Sequence, residues 1–275
     1  MIVNPCAKIN LGLNVVNKRD DGYHNLETVF YPVNLVDTLS IEERPTANDN
    51  MPACSLSVEG IIIDGDNQDN LVVKAYKLLK ERFPKLPEVS VKLTKDIPTQ
   101  AGMGGGSSDC AYMIKTLNEM FELNMSLSEM QSLSAKLGAD CAFFINPVPS
   151  FATGIGEELS PIDVNLGKYT LAIVKPPLKI STKDAFSSIT PQKPMKCCRE
   201  IVRQPVETWK TELVNDFERS IFSLYPEVAD IKKKLYDLGA VYASMSGSGS
   251  AFFGIFEEKP DRLDKHFDNY FTRIL

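Results

Sequence analysis

Imidazole is scarce in this 275-residue chain, which has only His24 and His266. Six cysteines (Cys6, Cys54, Cys110, Cys141, Cys197 and Cys198) are scattered along it, none at C-x-x-C spacing. Such a set disfavours a zinc site, so free, mostly buried thiols in a reducing compartment are expected. Clustered positive charge is missing too. The formal net charge is −6 and the longest basic run is Lys232-Lys233-Lys234, whereas a nucleic-acid binder shows a basic stripe. The N-terminus, Met-Ile-Val-Asn-Pro-Cys-Ala-Lys, lacks the basic start, apolar centre and cleavage site of a signal peptide. No uncharged apolar stretch approaches the roughly 18 residues a membrane helix needs. The expectation is a soluble, cytoplasmic protein with neither a nucleic-acid nor a membrane partner. An anionic small molecule stays open, because backbone amides bind phosphate without altering net charge.

With 43% hydrophobic and 24% charged residues, the composition is that of a globular protein. The length allows one large core or two domains sharing a cleft. Ala7, Ile9, Leu11, Leu13 and Val15 alternate with Lys8, Asn10, Gly12 and Asn14, the period of a strand with one buried face. Arg19–Gly22 reads as a turn, residues 26–41 as a second strand region, and residues 44–55 as an exposed loop. Asp69 is placed to cap a helix that stops at Pro84, and Val89, Val91 and Leu93 mark another strand. A helix starts near Ser107. Ser126-Leu-Ser-Glu129 is a capping box for the next, with Gly138 as its stop. After Phe151 come a Gly154/Gly156 turn, a strand over 169–174, and a short helix capped by Ser181 or Thr182. Helices over 207–224 and 227–238 follow, then strands 241–245 and 251–256, a short helix and a closing strand. Strands and helices interleave without a regular βα repeat, which predicts an α+β fold in two domains divided near residue 155.

Chemistry concentrates in Pro98-Thr99-Gln100-Ala101-Gly102-Met103-Gly104-Gly105-Gly106-Ser107-Ser108-Asp109, between a predicted strand and a predicted helix. Glycine lets the backbone approach a ligand closely, and the helix start aims N–H groups and a positive dipole end at it. Phosphate suits such a loop, although a plain tight connection would look the same. No Gly-Lys-Ser/Thr ends the segment, so it is not a Walker loop. Asp140, between Gly138 and the apolar run Cys141–Ile145, is either a helix cap or a placed acid/base. Lys8, with Asn10 two residues on, is either a solvent-facing strand lysine or a pair of donors at fixed spacing. Tyr23, His24 and Phe186 are packing residues or a ligand platform, and Ser246–Ser250 is a hairpin turn or a further motif.

The order of these features narrows the choice. Pro5-x-Ala7-Lys8-Ile9-Asn10-Leu11, Asp21-Gly22-Tyr23-His24, the Gly-rich loop, Leu137-Gly138-Ala139-Asp140 and Ser246-Gly247-Ser248-Gly249 resemble, in sequence, the motifs of the galactokinase/homoserine kinase/mevalonate kinase/phosphomevalonate kinase (GHMP) superfamily. The match runs over nearly the whole chain. It implies a two-domain GHMP-kinase-like fold with its active site in the cleft between domains. Residues 1–155 would form the ATP-binding domain and 156–275 the substrate-side domain. It implies a small-molecule kinase using ATP and Mg²⁺, and the Lys8/Asn10 opening with the Tyr23-His24 hairpin implies a cytidyl-diphosphate alcohol as acceptor. By the same resemblance, Asp140 takes the proton of the attacking hydroxyl, Lys8 orients that hydroxyl and offsets phosphoryl charge, and Asn10 holds the substrate. Tyr23 and Phe186 stack on cytosine, His24 reads its polar edge, Pro98–Ser108 cradles the phosphates, and Lys95 lies near adenine. Magnesium ligands are not assigned, and monomer and weak homodimer both stay open. Thr99-Gln100-Ala101 stands where further glycine or methionine is common, and Asp109 where small or amide residues are frequent; both bear on nucleotide affinity. A mevalonate- or homoserine-type kinase would keep the loop without needing the hairpin. A non-catalytic nucleotide- or sugar-binding regulator would be expected to lack Lys8 or Asp140.

Overall fold

The computed structural model describes residues 1–45, 51–63 and 65–275. Of the loop expected over 44–55, residues 46–50 lie outside the described residues, and its far end is corrected, since Cys54 and Ser55 already belong to a strand. In chain order the elements are β1 (Ile2–Val3), β2 (Cys6–Lys18), β3 (His24–Val36), β4 (Thr38–Arg44), β5 (Cys54–Gly60), α1 (Leu71–Arg82), β6 (Glu88–Lys95), α2 (Gly105–Met120), α3 (Leu127–Ala135) and α4 (Cys141–Ile145). There follow β7 (Ser150–Thr153), β8 (Glu158–Pro161), β9 (Thr170–Lys175), α5 (Thr182–Phe186), α6 (Cys198–Ile201), α7 (Trp209–Glu212), α8 (Phe217–Leu224), α9 (Pro226–Asp237), β10 (Tyr242–Met245), β11 (Phe252–Phe256), α10 (Leu263–His266) and β12 (Phe271–Ile274). The mixture of helices and sheets is the expected α+β class. No helix among the described residues is long and apolar enough to cross a membrane.

Two compact units divide the chain. The first comprises residues 1–7, 34–99 and 104–147, the second residues 8–33, 100–103 and 148–275. They are not the continuous halves on either side of residue 155. The reason is strand pairing: β3 lies antiparallel to β7, with Thr28 opposite Ala152 and Phe30 opposite Ser150, so the first hairpin folds with the later residues.

In the first unit the sheet runs β1-β4-β6-β5. β5 and β6 are parallel, which requires a crossover connection, and α1 supplies it. Leu39, Ile41, Val89 and Leu93 are fully buried, as are Val72, Val73, Ala75 and Leu79 of α1. The cap of α1 is Asn70, whose side chain accepts from the Val72 N–H, one residue beyond the expected Asp69. The capping box of α3 forms as expected, with Ser126 and Glu129 bonding each other's backbone N–H. That helix ends at Ala135 rather than Gly138. α2 packs on α1 and α4, and α4 also packs on α3.

The second unit holds two sheets, β2-β3-β7-β8 and β10-β11-β9-β12. Its core joins Leu13 and Val15 of β2 with Val174, Phe217, Ile221, Ile231, Leu235 and Phe252. Ser181 caps α5 by accepting from the Asp184 N–H. The helix expected over 207–224 is broken. Residues 213–216 leave the helical path because Leu13 donates to the Val214 carbonyl and Asp216 N–H donates back to the Leu13 carbonyl. Pairing with a strand satisfies the backbone there in place of helical turns.

Candidate active site

The alternation of β2 predicted one buried face, yet both are buried: Lys8 is 3% exposed and Asn10 1%. A solvent-facing lysine is therefore excluded. Burying an ammonium demands partners, and the second unit supplies them. Lys8 Nζ donates to Asn10 Oδ1 at 2.6 Å and to the Gly102 carbonyl at 2.9 Å, and lies 4.9 Å from the centre of the Phe30 ring. Asn10 Nδ2 donates to Thr28 Oγ1 at 2.9 Å, and that hydroxyl donates to the Gly12 carbonyl at 2.5 Å. Ser246 Oγ donates to the same Gly102 carbonyl at 2.9 Å. Three motifs far apart in sequence thus share one polar cluster.

Gly102 is required there for a reason other than ligand approach. Its φ is +70°, and a Cβ would overlap the Ser246 carbonyl oxygen. Residues 100–103 are fixed by backbone bonds: Lys8 N–H donates to Met103, Ser250 N–H to Gln100, and Ala251 N–H to Ala101. Gln100 takes φ 49°, the left-handed region in which a non-glycine residue is strained. That is the structural meaning of the Thr99-Gln100-Ala101 departure.

In the first unit the loop continues into α2, which begins at Gly105, two residues before the expected start. Gly104, at φ 72°, is its N-cap and offers no side-chain cap; no acidic residue stands in the first turn. The first N–H groups of the helix therefore lack side-chain partners of the usual capping kind. Gly106 is exposed, and a Cβ on it would meet only Leu71 Cδ1, at 3.8 Å. The Leu137–Asp140 turn lies against this helix start. A Cβ on Gly138 would sit 3.2 Å from Cys141 Sγ and 3.8 Å from Ser107 Oγ. Hydrogen bonds from the Cys110 thiol first and the Ser107 hydroxyl second hold the Cys141 thiol below its ordinary pKa, against burial. Asp140 is half-buried at the N-cap position of α4, but its side chain makes no capping hydrogen bond. The helix-cap explanation of this carboxylate does not hold.

Lys95 does not present its ammonium at a surface. Its side chain is 1% exposed and pairs with Asp37 and, at 2.7 Å, with Asp109. Burial alone would push Lys95 down, but the Asp109 and Asp37 carboxylates hold it above its ordinary value. Asp37 Oδ1 also accepts from the Asp96 and Ile97 N–H groups, at 2.7 and 2.8 Å. Burial pushes the Asp109 carboxyl up to about 7, with Lys95 opposing and Asp37 adding to the rise. Asp109 Oδ1 and Ser108 Oγ are buried with no protein partner.

His24 stacks on Phe186, with ring centres 4.8 Å apart and planes 20° apart, while Phe217 meets Phe186 edge-on. Tyr23 is 61% exposed at the hairpin tip. Burial, then the nearby Lys18 charge, lowers the His24 pKa, favouring neutral imidazole. All six cysteines are free, four of them buried.

Sequence reasoning missed Asp37, Thr28, Phe30 and Asn215. Asp37 carried a signal: one carboxylate inside the apolar run Leu35–Leu39, where a buried charge needs a partner. Asn215-Asp216 ahead of an apolar helix was a second, the composition of an N-cap.

Residues 70–146 match the GHMP kinases N terminal domain and residues 200–268 the GHMP kinases C terminal domain. The chain is 52% identical over 266 residues to the 4-diphosphocytidyl-2-C-methyl-D-erythritol kinase of Bacteroides fragilis, covering 96% of each chain. It is 44% identical to the protein of that name from Cytophaga hutchinsonii, covering 98% of this chain and 97% of that one. A crystal structure of 4-(cytidine 5'-diphospho)-2C-methyl-D-erythritol kinase superposes with a TM-score of 0.81 at 30% identity, covering 100% of this chain and 98% of the other. Mevalonate kinase, at 14% identity and a TM-score of 0.72, shares the fold. The chain belongs to the GHMP kinases, within the group whose members are named 4-diphosphocytidyl-2-C-methyl-D-erythritol kinase.

Proposed function

We propose that this chain transfers the γ-phosphoryl group of ATP to the 2-hydroxyl of 4-diphosphocytidyl-2-C-methyl-D-erythritol, giving the 2-phosphate and ADP. The step belongs to isoprenoid precursor synthesis by the methylerythritol phosphate route, in a soluble cytoplasmic enzyme with no nucleic-acid or membrane partner. The observation that carries the chemistry is α2, a helix of 16 residues that opens on Gly104–Gly106 with neither an acidic first turn nor a side-chain cap. Such an end favours phosphate through N–H groups and the helix dipole.

Phosphoryl transfer asks mainly for alignment and charge stabilisation. Asp140 takes the proton of the acceptor hydroxyl, a role supported by its half-buried place just after the Gly138 turn that lies against the start of α2. Lys8 supplies a positive charge and Asn10 a carboxamide, both at positions fixed by burial. Pro98–Ser108 cradles the phosphates, and Lys95 serves by holding Asp37 and Asp109 against the base of α2. Tyr23 and Phe186 bind cytosine, with neutral His24 reading its edge after leaving the Phe186 face. Nucleotide work falls mainly to the unit of residues 1–7, 34–99 and 104–147, and acceptor recognition to the unit of residues 8–33, 100–103 and 148–275.

Among the described residues no group of three or more His, Cys, Asp or Glu could hold a metal. Mg²⁺ would enter with the phosphates, which supply much of its oxygen shell beside one or two protein oxygens, usually carboxylate. Ser107, in the first turn of α2, can supply one. When bound, the ion neutralises phosphate charge. The test is ADP release measured with 4-diphosphocytidyl-2-C-methyl-D-erythritol, mevalonate and homoserine in parallel. Turnover with the first alone is expected; turnover with either of the others alone would overturn the substrate assignment.

A further inference from the structure

Asn215 lies in the break between α7 and α8, 3% exposed, and every polar atom of its side chain is engaged with backbone. Its amide donates to the carbonyls of Met245, at 2.8 Å, and Gly247, at 2.9 Å, and its own oxygen accepts from the Phe217 N–H at 3.0 Å. The two carbonyls flank Ser246. The Ser246 hydroxyl reaches the Gly102 carbonyl at 2.9 Å and Asn10 Oδ1 at 3.5 Å. Those are the same two acceptors that hold the Lys8 ammonium, at 2.9 and 2.6 Å. The backbone on either side of Asn215 is pinned to Leu13 of β2, the strand that carries Lys8 and Asn10. One side chain therefore ties the strand bearing the lysine to the turn that shares the lysine's acceptors.

We infer that Asn215 is a positioning residue for phosphoryl transfer, fixing the Ser246 turn so that Gly102 and Asn10 hold the Lys8 ammonium in register. The inference rests on the proposed role of Lys8. A local turn onto the Phe217 N–H accounts only for the Asn215 oxygen; the two amide bonds serve the Ser246 turn. Asp and Asn side-chain oxygens both accept from the backbone N–H two residues on, so Asn215→Asp can keep the Phe217 bond while losing both donors to the turn. Ser246→Ala removes one hydroxyl at the other end of the same link.

Steady-state kinetics on Asn215→Asp, Ser246→Ala, the double variant and Lys8→Met form the test, each read below its own melting temperature. A misplacement of about 1 Å can cost up to about 10²-fold in rate. The two single variants should therefore lose kcat on that scale while KM for ATP stays near the wild-type value. The double variant should be no slower than the slower single one, because both act through one link. A purely structural Asn215 would lower the melting temperature and leave kcat of the folded enzyme unchanged, which overturns the inference. Losses that multiply in the double variant overturn it too. Should Asn215→Asp not fold, wild-type kcat in Ser246→Ala overturns it alone. Lys8→Met separates the two levels: undiminished kcat there sinks the role of Lys8 itself. Loss in Lys8→Met with wild-type rates in the other variants sinks only Asn215.

Discussion

Asp140 and Lys95 both carry charge beside the same helix, and their surroundings assign them different work. Asp140 is half-buried at the start of α4 and does not cap that helix, so the test of its role is turnover by the folded Asp140→Asn variant. The substitution should reduce kcat by about 10²–10⁴-fold, roughly 3–5 kcal/mol of barrier, the usual contribution of a positioned base. Near-wild-type kcat in the purified variant would refute the base. Lys95 is locked between two carboxylates, and the strain of that arrangement falls on Asp109. A carboxyl whose folded-state pKa is raised binds its proton more tightly folded than unfolded, so its contribution to stability is lost as pH rises from the ordinary carboxylate range through about 7. Asp109→Asn removes this loss. The variant's melting temperature relative to wild type should rise between about pH 4 and pH 7 and level off above, and a constant difference would contradict the assignment. Tyr23 offers a clean test of base stacking because it is exposed and its removal disturbs no core. Tyr23→Ala should raise KM for the cytidyl substrate by one to two decades, from about 1–3 kcal/mol per stacked base, with kcat little changed. An unchanged KM would remove Tyr23 from the site.

At the level of elements, the start of α2 makes the sharpest claim. Gly105 is a poor probe because a Cβ there would lie 2.9 Å from Ile97 Cγ2 and 3.3 Å from Lys95 Nζ, so any loss would mix packing with binding. Gly106→Ala adds a methyl with room around it. If this backbone touches phosphate, ATP affinity should fall about tenfold, the loss of roughly 1.5 kcal/mol for one hydrogen bond to a charged group. Titration with a fluorescent ATP analogue reads this directly, and unchanged affinity would make the loop an ordinary connection. Much of this element structure was legible, because capping residues, period-two runs and glycine clusters are local signals. β2 shows where legibility stops. Its alternation marked the strand, but the polar face looked solvent-directed since its partners, Thr28 and Ser246, lie 18 and 236 residues from Asn10. The break at 213–216 was hidden for the same reason: helical spacing continues through it, and only pairing with Leu13 overrides that spacing. The Lys8–Asn10–Asp140 assignment came from motif order; the Lys95 triad and the His24–Phe186 stack needed coordinates.

For the whole molecule, the interleaved units explain why no single cut describes the chain, since the first hairpin is built into the sheet of the later residues. The same interleaving puts Lys8, Asn10, Tyr23, His24 and Phe186 in one unit, with the helix that opens on Gly104–Gly106 and Asp140 in the other. Every role proposed for them converges on one product. The most direct test is phosphorus NMR of the wild-type reaction with ATP, Mg²⁺ and 4-diphosphocytidyl-2-C-methyl-D-erythritol. The expected result is ADP together with one new phosphomonoester signal that shows no coupling to a carbinol proton, because the 2-carbon carries a methyl group and no hydrogen, and with the diphosphate bridge intact. A proton-coupled monoester, or ADP and inorganic phosphate without any new ester, would contradict the account.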